Sequence, residues 1–275
     1  MPAVTPDPYW IAIAEAAGDV PPAASRKPLF VAGREFASVE PDLAARLEAA
    51  GLPIARDTQG WRLTGDTDAS LAALARWLHE QGLTSRWRDE ALAVVDTSER
   101  PLGRIERAAV RPLGIATRAV HLVGTIASGE VWVQQRALDK SVDPGRWDTL
   151  MGGLVSAGES TQETLARETW EEAGLRLQQL QDLTSLGRRT VRRPVEDGYM
   201  VEHIEMFEAR VPDVVEPVNQ DGEVARFERL APAALVERLA AGAFTVEATL
   251  VHLHWLRRHR LAGFTPAAAP PPRPR

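Results

Sequence analysis

The 275-residue chain contains no cysteine. Disulfides and thiolate metal sites are therefore excluded, and any bound metal has only oxygen and histidine nitrogen to bind. That favours a hard cation. A basic excess is also missing: 38 acidic against 32 basic residues give a formal net charge of −6, with no electropositive footprint for nucleic acid and no polybasic membrane patch. No run of about 18 apolar residues occurs. The first twenty residues carry Asp7, Glu15 and Asp19 but no Lys or Arg, unlike a signal peptide. No internal repeat is found. These absences set the expectation of a cytoplasmic, soluble protein whose partners are small molecules rather than nucleic acid or membrane. What is present is enough apolar material, 44% of residues, for one large domain or two modest ones.

Along the chain, residues 1–28 read as an N-terminal arm: a helix-like segment at 9–17 is stopped by Asp19-Val20-Pro21-Pro22. Residues 29–110 read as a small α+β domain. A short apolar strand with a glycine break (29–33) comes first, then a helix led by Glu40-Pro41-Asp42. A strand at 60–63 and a helix at 69–81 follow, the helix carrying Leu71, Leu74, Trp77 and Leu78 at helical spacing. Trp61, Trp77 and Trp87 are assigned to its core. Arg111-Pro112-Leu113-Gly114 marks a boundary, and residues 111–262 form a second domain. It opens with apolar strands at 119–126 and 130–135 joined by an Ala127-Ser128-Gly129-Glu130 turn. A glycine pair, Gly152-Gly153, precedes a helix from Ser160 to about Ala173 that Gly174 terminates. Strands near 184–193 and 199–210 and a helix-rich stretch at 232–260 come next. Residues 263–275 are rich in Ala, Pro and Arg and are expected to be disordered.

The helix after the glycine pair concentrates the chemistry. Ser160 and Glu163 form an S-x-x-E capping box, so the helix starts just after Glu159 and sets that carboxylate near the positive end of the dipole. Glu168, Glu171 and Glu172 stand at i, i+3 and i+4, three carboxylates on one face. Arg167 can pair with Glu171 at i+4, but Glu168 and Glu172 remain a like-charge pair with no lysine nearby. A divalent cation removes the conflict, and oxygen-only ligands suit Mg²⁺ or Mn²⁺.

The stretch from Gly153 to Leu175, with Glu159, Arg167, Glu168, Glu171, Glu172 and Gly174 between them, resembles the signature of the Nudix hydrolases, G-x5-E-x7-R-E-U-x-E-E-x-G-U, where U is a bulky apolar residue. All seven fixed positions match, a coincidence of about one in a million at average residue usage. One U position departs, holding Thr169, which keeps a β-branched shape. The resemblance implies an α/β fold, a Nudix α/β/α sandwich around a mixed sheet, preceded here by the small α+β N-terminal domain. It further implies an Mg-dependent pyrophosphohydrolase. Glu168, Glu171, Glu172 and Glu159 would serve the metal; Glu171, Glu172, Arg167 and a further glutamate outside the box would serve catalysis. Glu223, in the Asp221-Gly222-Glu223 turn, is preferred for that further glutamate over Glu202. Candidate substrate contacts are His121, Arg136, Trp147 and Gly153, with Lys140, Trp132 and the arginines at 188–193 behind them. A satisfied core histidine is the ordinary alternative for His121.

Fragments outside the box, Phe30-Val31-Ala32-Gly33-Arg34-Glu35, Trp87-Arg88-Asp89-Glu90, Gly114-Ile115-Ala116-Thr117 and Pro217-Val218-Asn219-Gln220-Asp221-Gly222-Glu223-Val224, resemble the Nudix hydrolases related to the Nudix portion of fungal thiamine pyrophosphokinase. That implies cleavage of thiamine diphosphate, or its oxidised forms, to the monophosphate and phosphate. The alternatives are a hydrolase for another nucleoside diphosphate derivative such as ADP-ribose, or a non-catalytic Nudix module that senses a ligand. An isopentenyl-diphosphate isomerase-like enzyme would need a catalytic cysteine, which the chain lacks. The N-terminal domain is expected to shape the cleft or to support a homodimer.

Overall fold

The computed structural model describes residues 7–264. Its first helix, α1 (Pro8–Ala17), is capped by Asp7, whose carboxylate accepts from the Tyr9 amide. Trp10, Ile11 and Ala14 lay it against the core of the second half of the chain. The next elements form a unit with its own core. They are β1 (Lys27–Val31), β2 (Arg34–Val39), α2 (Pro41–Ala49), β3 (Ile54–Arg56), β4 (Trp61–Leu63) and α3 (Thr67–Glu80). The sheet order is β2-β1-β4-β3, with β1 and β4 parallel and the other pairs antiparallel. Leu71, Leu74 and Leu78 of α3, at helical spacing, are fully buried against Leu29, Leu47 and Trp61. Trp77 and Trp87 are half-buried against the same core. A hairpin, β5 (Ala91–Val95) and β6 (Pro101–Glu106), completes the unit.

The second half is built on a seven-stranded mixed sheet. Its members are β7 (Ala116–Thr125), β8 (Val131–Arg136), β9 (Trp147–Asp148), β10 (Met151–Leu154), β11 (Gln181–Val195), β12 (Gly198–Arg210) and β13 (Val224–Leu230). Strand β7 pairs parallel with β12 and antiparallel with β8 and β10. Its side chains alternate between two cores. Val120 and Leu122 face α4 (Thr161–Ala173) and Leu165, while Ala119 and Val123 face α6 (Val246–Arg258) with Leu250, Val251 and Leu253. Covering on both faces explains why β7 reads as an almost unbroken apolar run. With α5 (Pro232–Ala240) beside α6, the architecture is the expected α/β/α sandwich around a mixed sheet.

At the C-terminal end, residues 265–275 of the expected disordered tail lie outside the described residues. The start of that stretch is ordered: Phe264 is buried in the α6 core, its amide donating to Leu261 O at 2.9 Å. One aromatic side chain within reach of an apolar core outweighs the polar composition that follows it.

The two units meet beside the loop that leads into α4. Ala157 N donates to Ala91 O at 2.8 Å, Tyr199 N donates to Arg111 O at 3.0 Å, and Arg26 reaches Pro112 O. This junction brings the residue 85–111 segment to the edge of the seven-stranded sheet where β10 and α4 meet.

Candidate active site

Helix α4 is fixed at both ends. The Ser160 hydroxyl accepts from the Glu163 amide at 3.2 Å, and the Glu163 carboxylate accepts from Ser160 N at 2.8 Å, completing the expected capping box. Gly174 closes the helix at φ 64°, a left-handed conformation, and leaves room for the Val218 carbonyl, which a side chain there would strike. Residues 218–220 then zip onto the helix end, Val218 N donating to Ala173 O at 2.8 Å and Gln220 N to Glu171 O at 2.9 Å. The consequence is that Glu223, three residues further on, stands at the mouth of the cleft beside α4, ion-paired with Lys140.

Arg167 organises the carboxylates. Its Nε and Nη2 donate to the two oxygens of Glu159 at 2.8 and 2.9 Å, and its Nη1 donates to Glu168 Oε1 at 2.8 Å and Glu171 Oε2 at 2.9 Å. The i,i+4 pairing with Glu171 is as the spacing implies; the fork onto Glu159 is not. Those bonds hold the Glu159 carboxyl far below its usual range, at about 2, with the Thr164 hydroxyl assisting. Both oxygens of Glu159 accept from Arg167, so this expected metal ligand also braces the arginine.

Glu172 is 2% exposed, and its Oε2 accepts from Gln134 Nε2 at 2.8 Å and Gly152 N at 2.9 Å. Burial, and then the neighbouring Glu168, push its carboxyl up to about 8. Burial also raises Glu168, against the pull of Arg167. The like-charge conflict between these two residues is thus present in the folded chain. Among the described residues, no three acidic or histidine side chains converge as they stand on one point suited to a metal. The donor set nonetheless fits a hard divalent cation. Glu168, Glu171 and Glu172 each spend one oxygen on protein donors and keep the other, and the repulsion between Glu168 and the buried Glu172 is what a cation relieves.

Gly153 lies in β10 directly against this cluster, and a Cβ there would overlap the Glu168 carboxyl carbon. Its φ is not in the left-handed region, so the backbone would accept alanine and the effect of a substitution is steric. Gly153→Ala is expected to push Glu168 aside and lower kcat/KM about 10²-fold with the far-UV circular dichroism unchanged. Activity within twofold of wild type would show that the Glu168 position is not critical.

A cleft of about 140 Å³ opens in front of Glu168, Gly152 and Gly153. His121 lines it, only 5% exposed. The Thr149 hydroxyl donates to Met151 O at 2.7 Å, so His121 Nδ1, 2.9 Å from that hydroxyl, is the donor in their contact and Nε2 is the free acceptor. Burial lowers its pKa and keeps it neutral. Arg136 also lines the cleft, but its guanidinium donates to Val142 O (2.9 Å) and Asp148 Oδ2 (3.4 Å), anchoring the 137–146 loop. Trp147 departs from expectation. It is buried in the α6-side core between the Arg226 and Arg238 guanidiniums, 5.1 and 4.5 Å from the ring, and does not face the cleft. Trp132 is likewise buried, under Arg229. Both side chains are packed among apolar core residues, where large aromatics are filling. Glu202 does reach the cleft, its carboxyl raised to about 7 by burial and then by Glu247.

Sequence reasoning missed Gln134, Arg88 and Arg107. Gln134 has a faint signal, a polar residue within the buried run of β8. The two arginines come from the N-terminal unit and line the same cleft; Arg88 falls within the Trp87-Arg88-Asp89-Glu90 fragment, which carries a resemblance but no site role, and no fragment marks Arg107.

This fold and site define a class: an α/β/α sandwich that carries an oxygen-only, helix-borne carboxylate cluster suited to a hard cation. Residues 116–250 match the NUDIX domain model. An uncharacterised Nudix hydrolase of Pseudomonas aeruginosa is 44% identical over 87 residues, 32% of this chain and 52% of that protein. Nudix hydrolase 24, chloroplastic, of Arabidopsis thaliana is 31% identical over 200 residues, 70% of this chain and 54% of its own length, a match longer than the Nudix domain itself. The chain thus spans about half the length of these curated relatives. A solved structure from Deinococcus radiodurans superposes with a TM-score of 0.49 at 26% identity, covering 59% of this chain and 97% of that one.

Proposed function

We propose that the protein is a divalent-metal-dependent hydrolase of a diphosphate bond in a small organic diphosphate. The observation that carries this reading is the row of helix acids: Arg167 bonds Glu168 and Glu171, Glu172 is buried beside Glu168, and Glu168 lines the cleft next to Gly153. Mg²⁺ or Mn²⁺ is the cation that the oxygen donors suit. When bound, it supplies charge neutralisation of the diphosphate and activation of water. Arg167 keeps Glu168 and Glu171 in register, and Gln134 and the Gly152 amide orient Glu172. Neutral His121 offers an acceptor nitrogen to the cleft, and Lys140 a cation. Glu223, at the cleft mouth and ion-paired with Lys140, is the residue we assign to take a proton from the attacking water.

Within that class the fragments outside the box favour thiamine diphosphate or its oxidised forms. Phosphate release with Mg²⁺ on thiamine diphosphate, its oxo and oxy forms, ADP-ribose and dinucleoside polyphosphates tests both levels. Metal-dependent turnover of a thiamine compound above the others is expected. Turnover confined to ADP-ribose would overturn the substrate reading. Tight binding with no turnover of any compound would overturn hydrolysis and favour a sensing module.

A further inference from the structure

The N-terminal unit contributes to the cleft through a turn whose construction is unusual. In Trp87-Arg88-Asp89-Glu90, Asp89 takes φ 55°, a left-handed conformation, while its carboxylate accepts from the Trp87 indole at 2.7 Å. One carboxylate, Glu106 on β6, accepts from the Arg88 amide at 3.0 Å and from the Glu90 amide at 3.1 Å. Arg107 clamps the far side of the turn through Glu90 at 2.7 Å. Backbone held in this region by several side-chain bonds is preorganised, and what the turn presents is the Arg88 side chain.

Arg88 is half-buried, and its guanidinium has one hydrogen bond among the described residues, to the neutral Ser141 hydroxyl at 2.8 Å on the 137–146 loop. No carboxylate pairs with it there. Burial, and then repulsion from the nearby Arg107, lower its pKa against the pull of Glu90 and Glu106. Both arginines line the same cleft as Glu168, Gly153 and Glu223. An arginine fork withdrawn from water beside a second arginine, with no anion of its own, is an anion-binding arrangement, and the fork matches phosphate oxygens two at a time. Beyond Ser141 and Arg111 the cleft continues into a groove of about 890 Å³ between the two units, roomy enough for an organic group.

We propose that Arg88, supported by Arg107, is the phosphate anchor of this site, gripping the phosphoryl group of the substrate within the cleft that Glu168 lines. The N-terminal unit therefore completes the active site. This rests on the diphosphate reading above. Ser141 couples the anchor to the 137–146 loop, so that one arginine spans both units across the bound phosphate.

The test measures the affinity of imidodiphosphate, a non-hydrolysable diphosphate, for the full chain in Mg²⁺ by calorimetry. Arg88→Gln is expected to weaken binding about 10- to 100-fold, the range for a hydrogen bond to a charged group. Arg88→Lys, which keeps the charge and loses the fork, is expected to fall between Arg88→Gln and wild type and serves if the glutamine variant folds poorly. Arg104→Gln removes the same charge from an exposed site on β6 and is expected to bind as wild type does. Equal affinities for wild type and Arg88→Gln, equal losses in Arg88→Gln and Arg104→Gln, or no binding of imidodiphosphate by the wild type would each overturn the proposal. Failure of the hydrolase reading looks different: the wild type would bind imidodiphosphate through Arg88 yet turn over nothing.

Discussion

Replacing Glu172 by glutamine is expected to lower kcat/KM for any turned-over diphosphate by about two to three orders of magnitude without loss of the fold. The two halves of this expectation have separate causes. Catalytically, Glu172 is the most deeply buried of the three helix acids, and the substitution deletes one of the negative charges that would hold the cation. Structurally, the glutamine can be accommodated in place. Its side-chain oxygen accepts from the Gly152 amide, as Glu172 now does, and its new N–H group can donate to Gln134 Oε1, a buried atom with no partner among the described residues. A buried group whose charged form is disfavoured by its surroundings is also removed, so in EDTA the melting temperature is expected to hold or rise. Thermal melts with and without Mg²⁺ separate these effects: the wild type gains stability on adding metal, and Glu172→Gln gains much less. Wild-type activity in the variant would remove Glu172 from the metal site.

Arg167→Ala is expected to be the most destabilising substitution in the site. It leaves Glu159, Glu168 and Glu171 without their shared cation, and Glu168 is largely withdrawn from water. Breaking a fully buried pair costs roughly 3–5 kcal/mol; because the Arg167 side chain is 31% exposed, about 2–3 kcal/mol is expected. Acid should erase part of that difference. The Glu159 carboxyl sits at about 2 in the folded chain against an ordinary 4.5. It therefore contributes stability that is complete above 4.5 and declines as pH falls toward 2. The variant lacks this contribution, so the gap in melting temperature between it and wild type narrows below about pH 4.5. A gap that stays constant with pH would mean that the Glu159 fork contributes nothing. Activity is expected to fall at least about tenfold, since Arg167 orients two of the helix acids.

Much of this site is legible in the chain because it is local. The capping box, the Gly174 stop and the spacing of Glu168, Glu171 and Glu172 all lie within one helix, where a regular rise and turn convert sequence distance into position. The strongly periodic helices and the apolar strands β7 and β8 are legible for the same reason. Strand β2 is not, because its hairpin turns through Ala32 and Gly33, both at positive φ, where alanine sends no signal. The short strands β3 and β9 are too brief for any alternation to register. Trp147 is a candidate substrate contact in the sequence, and only packing shows that arginines from β13 and α5 enclose it.

The sequence by itself determined the Nudix helix, its acidic face and the oxygen-only chemistry that goes with them. Tertiary structure decided which acid Arg167 spends its fork on, which acid is buried, and whether Glu223 stands near enough to matter. It alone brought Arg88 of the 87–90 turn into the cleft that Glu168 lines. The physical reason is range: helical periodicity acts over a few residues, whereas burial, ion pairing and the meeting of two units depend on contacts between segments far apart in the chain.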